Sequence, residues 1–388
     1  MVLPELKKRR DKIRVFMAQQ HIDAALITCN VNLLYTCGQI ISGYLYMPLN
    51  FPARIFVKRP NNITGEFVHS IHKPEQIPDI LKEEALPLPE TLMLEGDELS
   101  FTTYNRLAAI FPETTIVNGT PLIRRARSTK TEIEIESFHR SGIAHTKAYE
   151  QIQSIYREGM TDKEFSIEIE RLMRLEGCLG LFRTFGQNME IFMGSVLTGD
   201  NASAPSPYDF ALGGAGLDPT LPIGANGSLL EEGRSVMVDM GGNFNGYITD
   251  MSRVYSIGKL DEKAYAAHQL CLDVQEKLIS MVKPGVSCEK LYNTAIELVT
   301  EAGFADYFMG TDQKAKFIGH GIGLEINENP VIAPNMKQEL ETGMVFALEP
   351  KIVLPGIGPV GIENSWIVTS TGAEKLTNCA EEIINLKS

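Results

Sequence analysis

Residues 236–250 constrain the fold of this chain more than any other segment. Two apolar runs rich in β-branched residues flank the sequence Gly-Gly-Asn-Phe-Asn-Gly, a composition typical of a hairpin turn. We expect the turn to centre between Phe244 and Asn245. Asp239 would then lie opposite Asp250, with their Cβ atoms about 5 Å apart. Because facing like charges destabilise a sheet, the pattern predicts a neighbouring cation.

A second hairpin near the C-terminus repeats this arrangement. Two apolar runs, residues 346–350 and 360–364, flank a turn rich in Pro and Gly. With the turn centred on Gly356, Glu349 lies opposite Glu363. Each hairpin therefore offers one facing pair of carboxylates in an apolar setting, where an unpaired charge is costly.

His320 lies between the two hairpins in the segment Gly-His-Gly-Ile-Gly, whose glycines allow close approach of the backbone. Four carboxylates and one imidazole suit a pair of divalent ions such as Mn²⁺, Co²⁺, Fe²⁺ or Zn²⁺. Two ions about 3.5–4 Å apart would share a bridging hydroxide and polarise a substrate carbonyl. His145 and His268 fall in predicted helices and are interpreted as structural. The predicted metal ligands are Asp239, Asp250, His320, Glu349 and Glu363.

The second half of the chain also contains a weak internal repeat. One copy covers residues 159–177 and the other residues 285–303, and each has Thr or Ser at the expected helix N-cap and Gly after the helix. Thr161 and Glu164 form a capping-box pattern. A longer helical segment precedes each copy and a hairpin follows it. The repeat predicts a pseudo-symmetric α+β domain with its site between the halves.

The beginning of the chain alternates predicted helices and strands, which indicates an α/β domain. The total of 388 residues suits two domains, for which we predict the bounds 1–122 and 123–388. The formal net charge of −13 argues against a nucleic-acid partner. We find no signal peptide and no apolar run that could span a membrane. The six scattered cysteines favour a reducing compartment, so we expect a cytoplasmic protein.

At the predicted ligands the sequence resembles the pita-bread metallopeptidases, a family that includes Xaa-Pro aminopeptidases, prolidases, methionine aminopeptidases and creatinase. The resemblance covers residues 123–388 and rests on the spacing of the two aspartates, the histidine segment and both glutamates. Residues 1–122 resemble the creatinase-type N-terminal domain of the proline-specific branch. The implied fold is α+β: a pseudo-symmetric pita-bread domain preceded by a smaller α/β domain.

The resemblance also implies an activity. The implied enzyme is a metallo-exopeptidase that removes the N-terminal residue from proline-containing peptides, with two divalent ions, most often manganese, and Glu349 as general base. It further implies a homodimer in which the N-terminal domain helps to close the neighbouring active site. The expected partner is a small peptide or another small-molecule substrate.

Two positions depart from the family pattern. Ser206 and Asn327 stand where the family has histidines that move protons and hold the substrate carbonyl, so both are candidate catalytic residues here. Asn327 can donate a hydrogen bond to an oxyanion, but neither side chain can act as a near-neutral acid. Gly361 stands where many members have arginine, and extra chain over residues 207–230 could reshape substrate access.

These departures leave two alternatives to a proline-specific exopeptidase. The first is a two-metal hydrolase that acts on a small non-peptide amide. The second is a non-catalytic binding protein on the same fold, although all five predicted ligands are retained.

Overall fold

The structure, a computed structural model, describes residues 3–186 and 188–387. The chain forms two compact units that divide between Arg127 and Ser128. The boundary predicted at 122/123 falls inside the helix Thr120–Ser128. Over the described ranges, no helix is both long and apolar enough to cross a membrane. All six cysteines are free thiols.

The first unit is an α/β domain built on a six-stranded mixed sheet. Its elements are α1 (Leu3–Gln19), β1 (Ala24–Ile27), α2 (Asn30–Cys37), β2 (Ser42–Pro48), β3 (Arg54–Arg59), β4 (Val68–Ser70), α3 (Ile77–Glu83), β5 (Thr91–Leu94), α4 (Phe101–Ile110), β6 (Thr115–Asn118) and α5 (Thr120–Ser128). The strand order is β4-β3-β2-β1-β5-β6. The strand β1 is buried at all four positions, as expected for a wholly apolar central strand.

The second unit combines helices with two larger sheets and a small hairpin. Its elements are α6 (Glu132–Tyr149), α7 (Ile152–Ile155), α8 (Asp162–Leu175), β7 (Gly194–Thr198), β8 (Ser235–Asn243), β9 (Ile248–Ser256), α9 (Glu262–Met281), α10 (Cys288–Glu301), β10 (Gly319–Gly321), β11 (Glu328–Ile332), β12 (Val345–Leu348), β13 (Lys351–Leu354), β14 (Gly358–Gly361), β15 (Asn364–Val368), β16 (Ala373–Lys375) and β17 (Ile384–Asn385). The sheets have the orders β17-β9-β8-β7 and β11-β10-β12-β15-β16, and β13 pairs with β14.

The internal repeat is present in the second unit. The helices α8 and α10 each contain 14 residues and begin at equivalent positions of the two copies. Thr161 caps α8 through the predicted capping box: its Oγ1 accepts a hydrogen bond from Glu164 N at 3.2 Å, and Thr161 N donates to the Glu164 carboxylate at 2.8 Å. Ser287 caps α10 by accepting from Lys290 N at 3.3 Å.

Each copy buries its helices against its own strands. In the first half, apolar residues of α8 such as Phe165 and Ile169 pack in one cluster with Val238 of β8. In the second half, α9 packs against β13 and β14 and α10 packs against β11, and Leu278 and Phe346 are fully buried there. The helices thus cover the outer faces of the strands, and the polar side chains of both hairpins face a shared interior.

Candidate metal centre

The strands β8 and β9 form the first predicted hairpin, but the predicted register is wrong. Asp239 pairs with Ser252 and Asp250 pairs with Gly241, so the two aspartates are not directly opposite each other. The pairing differs from the prediction by an even number of residues. Because side chains alternate between the faces of a strand, both carboxylates still project from the same face, as diagonal neighbours.

The turn chemistry explains this difference. The last pair of the ladder is Asn243 with Ile248, so the turn contains four residues and not two. Gly246 takes the left-handed conformation, with φ 99°, and its N–H donates to Asn243 Oδ1 at 2.9 Å. Glycine adopts this conformation without steric cost, so Gly246 determines where the strands begin to pair.

The predicted register of the second hairpin is confirmed. The pairs on either side of the two glutamates are Leu348–Asn364 and Lys351–Gly361. Glu349 and Glu363 lie at the same level in this register, where β12 passes into β13 and β14 into β15. Glu363 also pairs with Ser252 of the first hairpin, which joins the two halves of the repeat.

The structure brings all five predicted ligands together. His320 Nε2 lies 3.7 Å from Asp250 Oδ2 and 3.5 Å from Glu349 Oε1. Donor atoms of Asp250, His320 and Glu363 lie within 4.8 Å of one another. Donor atoms of Asp239, Glu349 and Glu363 do the same. Glu363 belongs to both groups, as a ligand between two cation positions would.

The glutamates lie at the deep end of the site and Asp239 lies toward solvent. The side chains of Glu349 and Glu363 are 3% and 1% exposed, whereas that of Asp239 is 21% exposed. Carboxylate oxygens and an imidazole nitrogen are donors that divalent first-row metals and magnesium accept. The donor set therefore fits a divalent ion.

The electrostatics of the site also favour a cation. Burial, together with the charges of Asp239 and Glu349, raises the pKa of Asp250 well above its usual range. Burial, together with the charges of Asp250 and Glu349, does the same to the pKa of Glu363. A bound divalent ion reverses this effect, because it stabilises the ionised carboxylates and releases their protons.

Lys351 also belongs to the site, although it is not among the five predicted ligands. Its Nζ lies 2.7 Å from Asp239 Oδ2, 2.6 Å from Glu349 Oε2 and 3.2 Å from Glu363 Oε2. Burial alone would lower the pKa of this lysine, but the three carboxylates outweigh burial and raise it. One signal was available in the sequence: Lys351 follows Glu349 by two residues, so in a strand both project from one face.

Hydrogen bonds behind the ligands fix their orientation. Ser252 Oγ donates to Glu363 Oε2 at 2.6 Å. Asp250 N donates to Ser365 Oγ at 2.8 Å. Arg253 donates to the main-chain oxygen of Glu363 at 2.9 Å, so its guanidinium supports the strand and not a ligand carboxylate. Such contacts limit the motion of a metal ligand and tune its basicity.

Ser206 holds two backbone segments of the loop over residues 207–230. Its Oγ donates to Pro222 O at 3.1 Å and accepts from Tyr208 N at 3.3 Å. Its main-chain oxygen accepts from Gln313 Nε2 at 2.8 Å. Over the described residues, no hydrogen bond of Ser206 reaches one of the five predicted ligands.

The side-chain amide of Asn327 forms hydrogen bonds with another backbone segment. Its Nδ2 donates to Phe185 O at 2.9 Å, and its Oδ1 accepts from Phe185 N at 2.7 Å. A neighbouring main-chain bond, from Ile326 N to Arg183 O at 2.8 Å, continues this contact. The Asn327 side chain thus positions the chain around residue 185.

Comparison with known proteins agrees with this geometry. Residues 136–370 match metallopeptidase family M24, and residues 9–129 match the creatinase/prolidase N-terminal domain. The chain is 27% identical to a Xaa-Pro dipeptidase of Pyrococcus furiosus over 388 residues, which cover 98% of this chain and 100% of that protein.

Solved structures show the same fold. The prolidase from Pyrococcus horikoshii superposes with a TM-score of 0.77 at 25% identity, covering 97% of this chain and 100% of that one. A Xaa-Pro dipeptidase from Bacillus anthracis has a TM-score of 0.81 at 24% identity, covering 98% and 99%. The expected fold and family resemblance are confirmed. The chain belongs to metallopeptidase family M24.

Proposed function

We propose that this chain is a metal-dependent exopeptidase that removes the N-terminal residue from Xaa-Pro peptides. The observation that carries the proposal is the convergence of four carboxylates with one imidazole, in which His320 Nε2 lies 3.5 Å from Glu349 and 3.7 Å from Asp250. The relatives described above, named Xaa-Pro dipeptidase and prolidase, support the choice of substrate.

The five side chains that would hold the metal are Asp239, Asp250, His320, Glu349 and Glu363. A divalent ion at these residues would act as a Lewis acid that polarises the scissile carbonyl. We take manganese as the first candidate, because oxygen donors outnumber nitrogen donors four to one.

Glu349 is the residue to which we assign general-base catalysis. Its Oε2 accepts a hydrogen bond from Lys351, whereas its Oε1 faces His320. One oxygen of the carboxylate is therefore fixed by the ammonium. The other, which would also hold the ion, has a second lone pair that can accept a proton from an attacking water. The burial of Glu349 keeps this proton transfer away from bulk solvent.

Hydrolysis of matched dipeptides tests the proposal. The purified protein, loaded with Mn²⁺, is expected to release free leucine from Leu-Pro faster than from Leu-Ala, measured by chromatography of the released amino acid. Asp250→Asn keeps the shape of a ligand but removes its charge, so we expect it to abolish turnover. The absence of turnover on Xaa-Pro peptides with Mn²⁺, Co²⁺, Fe²⁺ or Zn²⁺ would contradict the assignment.

One observation favours a second candidate, a hydrolase of a small non-peptide amide. Asn327 stands in place of a family histidine and its amide already pairs with both main-chain groups of Phe185. A site without that histidine lacks a near-neutral proton donor for a peptide amine leaving group. Turnover of small amides together with inert Xaa-Pro peptides would support this candidate.

The finer expectations from the sequence accompany the main proposal. We propose a homodimer, as the family resemblance implies, and light scattering on the purified protein tests the mass. We propose the cytoplasm as the compartment because all six cysteines are free thiols. A small peptide of two or more residues is the proposed partner.

A further inference from the structure

The ammonium of Lys351 lies inside the proposed metal centre. Its Nζ is within hydrogen-bond distance of carboxylate oxygens from Asp239, Glu349 and Glu363. These three residues are also one of the two groups of donors that could hold an ion. The second group contains Asp250, His320 and Glu363, and Lys351 donates to neither Asp250 nor His320 among the described contacts.

An ion and the ammonium cannot occupy the first group together. A metal ion bound there would lie about 2.0–2.2 Å from the carboxylate oxygens. The Nζ atom already lies 2.6 Å from Glu349 Oε2 and 2.7 Å from Asp239 Oδ2. A second cation among the same oxygens would be in steric and electrostatic conflict with the lysine.

The backbone around Lys351 leaves its side chain little room to move out of the site. The side chain is fully buried, with 0% of its surface exposed. Its strand pairs with β14, where Lys351 faces Gly361, and its main-chain oxygen accepts from Met309 N at 2.8 Å. Moving the ammonium away would leave a buried charge without its partners, which is strongly unfavourable.

Gly361 provides the space for the lysine. A Cβ atom at this position would lie 2.5 Å from Pro350 O, 2.8 Å from Lys351 Cα and 3.2 Å from Lys351 Cγ. Gly361 also has φ 146°, which side chains rarely adopt. Gly361 therefore lets β14 approach the backbone of β13 closely, and its lack of a side chain also leaves room for the lysine stem.

We propose that Lys351 is a built-in cation that replaces one of two metal ions, so that each chain binds a single divalent ion through Asp250, His320, Glu349 and Glu363. This inference rests on the proposed metallopeptidase function, and it changes the predicted pair of ions to one ion and one ammonium. Glu349 and Glu363 then join the ion to the lysine, since each has an oxygen bonded to Nζ.

Metal stoichiometry tests the inference. Wild-type protein is loaded with excess MnCl₂, freed of unbound ion by gel filtration and analysed by mass spectrometry for metal per chain. We expect one ion in the wild type and two in Lys351→Ala, which loses the ammonium and opens its space. Lys130→Ala is the matched control, because Lys130 is also a buried lysine paired with a carboxylate, Glu328, and should leave one ion.

Two ions per wild-type chain would overturn the inference, and so would a Lys351→Ala protein that still binds one. If Lys351→Ala does not fold, the wild-type stoichiometry decides alone. Leu-Pro hydrolysis measured on the same samples separates the two proposals. If the wild-type protein hydrolyses Leu-Pro and binds two ions, the peptidase assignment stands and the proposed role of Lys351 is wrong. If the wild-type protein binds one ion but does not hydrolyse Leu-Pro, the proposed role of Lys351 stands and the peptidase assignment is wrong.

Discussion

Single residues decide how well the carboxylates are oriented for a cation. Ser252 lies directly behind Glu363 and donates to its Oε2 at 2.6 Å. This hydrogen bond leaves the glutamate with few alternative rotamers, and ordering of this kind raises the affinity of a metal site. Ser252 itself is fully buried, so water cannot replace its hydroxyl without a rearrangement.

We predict that Ser252→Ala weakens Mn²⁺ binding by about 10- to 100-fold, the usual cost of losing a hydrogen bond behind a metal ligand. Isothermal titration calorimetry measures the dissociation constant. Ser256→Ala is the control, because Ser256 is also buried and lies on the same strand four residues later. An unchanged dissociation constant for Ser252→Ala would show that the hydroxyl does not orient Glu363.

His145 couples the stability of the second unit to pH. Burial, with a smaller effect of the positive charge of Arg253, lowers its pKa to about 3 from 6.5. Its Nδ1 lies 3.0 Å from Thr249 Oγ1. Between pH 3 and 6.5 the unfolded chain binds more protons at this site than the folded one, so stability is lost as the pH falls.

Between pH 7 and pH 5 this histidine alone should reduce the free energy of unfolding by about 2 kcal/mol. His145→Asn keeps an amide group near Thr249 but does not titrate. We therefore expect the variant to be less stable at pH 7 and to have a weaker pH dependence in urea unfolding. Equal losses in wild type and variant would mean that His145 titrates normally in the folded protein.

The residue-level prediction from sequence was accurate for side chains whose chemistry is unusual in a strand. Four acidic residues in apolar runs marked the site, and the structure brings them together with His320. Lys351 was overlooked because it follows the Glu-Pro pair, where proline obscures the strand pattern. The roles of Ser206 and Asn327 depend on contacts with distant backbone, to Pro222 and Phe185, which no local pattern reveals.

At the scale of elements, the position of the site depends on hairpin register. The second register was predicted correctly because Gly356 lies at the centre of a compact turn. The first was wrong because several residues of Gly-Gly-Asn-Phe-Asn-Gly can take a turn conformation, and the sequence does not show that Gly246 takes the left-handed one. The predicted and observed pairings differ by an even number of residues, so the predicted face of each aspartate was still correct.

Helix caps at equivalent positions should make equivalent contributions to stability. Thr161→Ala removes the cap of α8 and Ser287→Ala removes the cap of α10. Each is expected to cost about 1 kcal/mol, or about 2–4 °C in melting temperature for a unit of this size. Thermal unfolding followed by circular dichroism measures the shift.

Thr300→Ala is the control for these caps, because Thr300 is exposed near the end of α10 and does not cap a helix. It should shift the melting temperature by less than either cap variant. If Thr161→Ala and Ser287→Ala behave like Thr300→Ala, the two caps do not stabilise the repeat as the hydrogen bonds suggest.

At the scale of the whole molecule, the repeat explains why the ligands lie so far apart in sequence. Asp239 and Asp250 come from the first half, whereas His320, Glu349 and Glu363 come from the second. Each half supplies a helix pair that covers its own strands, and the bridge between Ser252 and Glu363 joins the strands of both halves. The repeat was visible in the sequence through its helix caps and glycines, and through the helical segment before each copy and the hairpin after it.

The central claim is that His320 and the carboxylates around it bind a divalent metal ion. Anomalous diffraction at the manganese absorption edge, from crystals grown with Mn²⁺, tests it most directly. We predict a strong peak within coordination distance of His320 Nε2 and the carboxylates of Asp250, Glu349 and Glu363. Crystals that contain Mn²⁺ in solution but show no peak at these residues would contradict the claim.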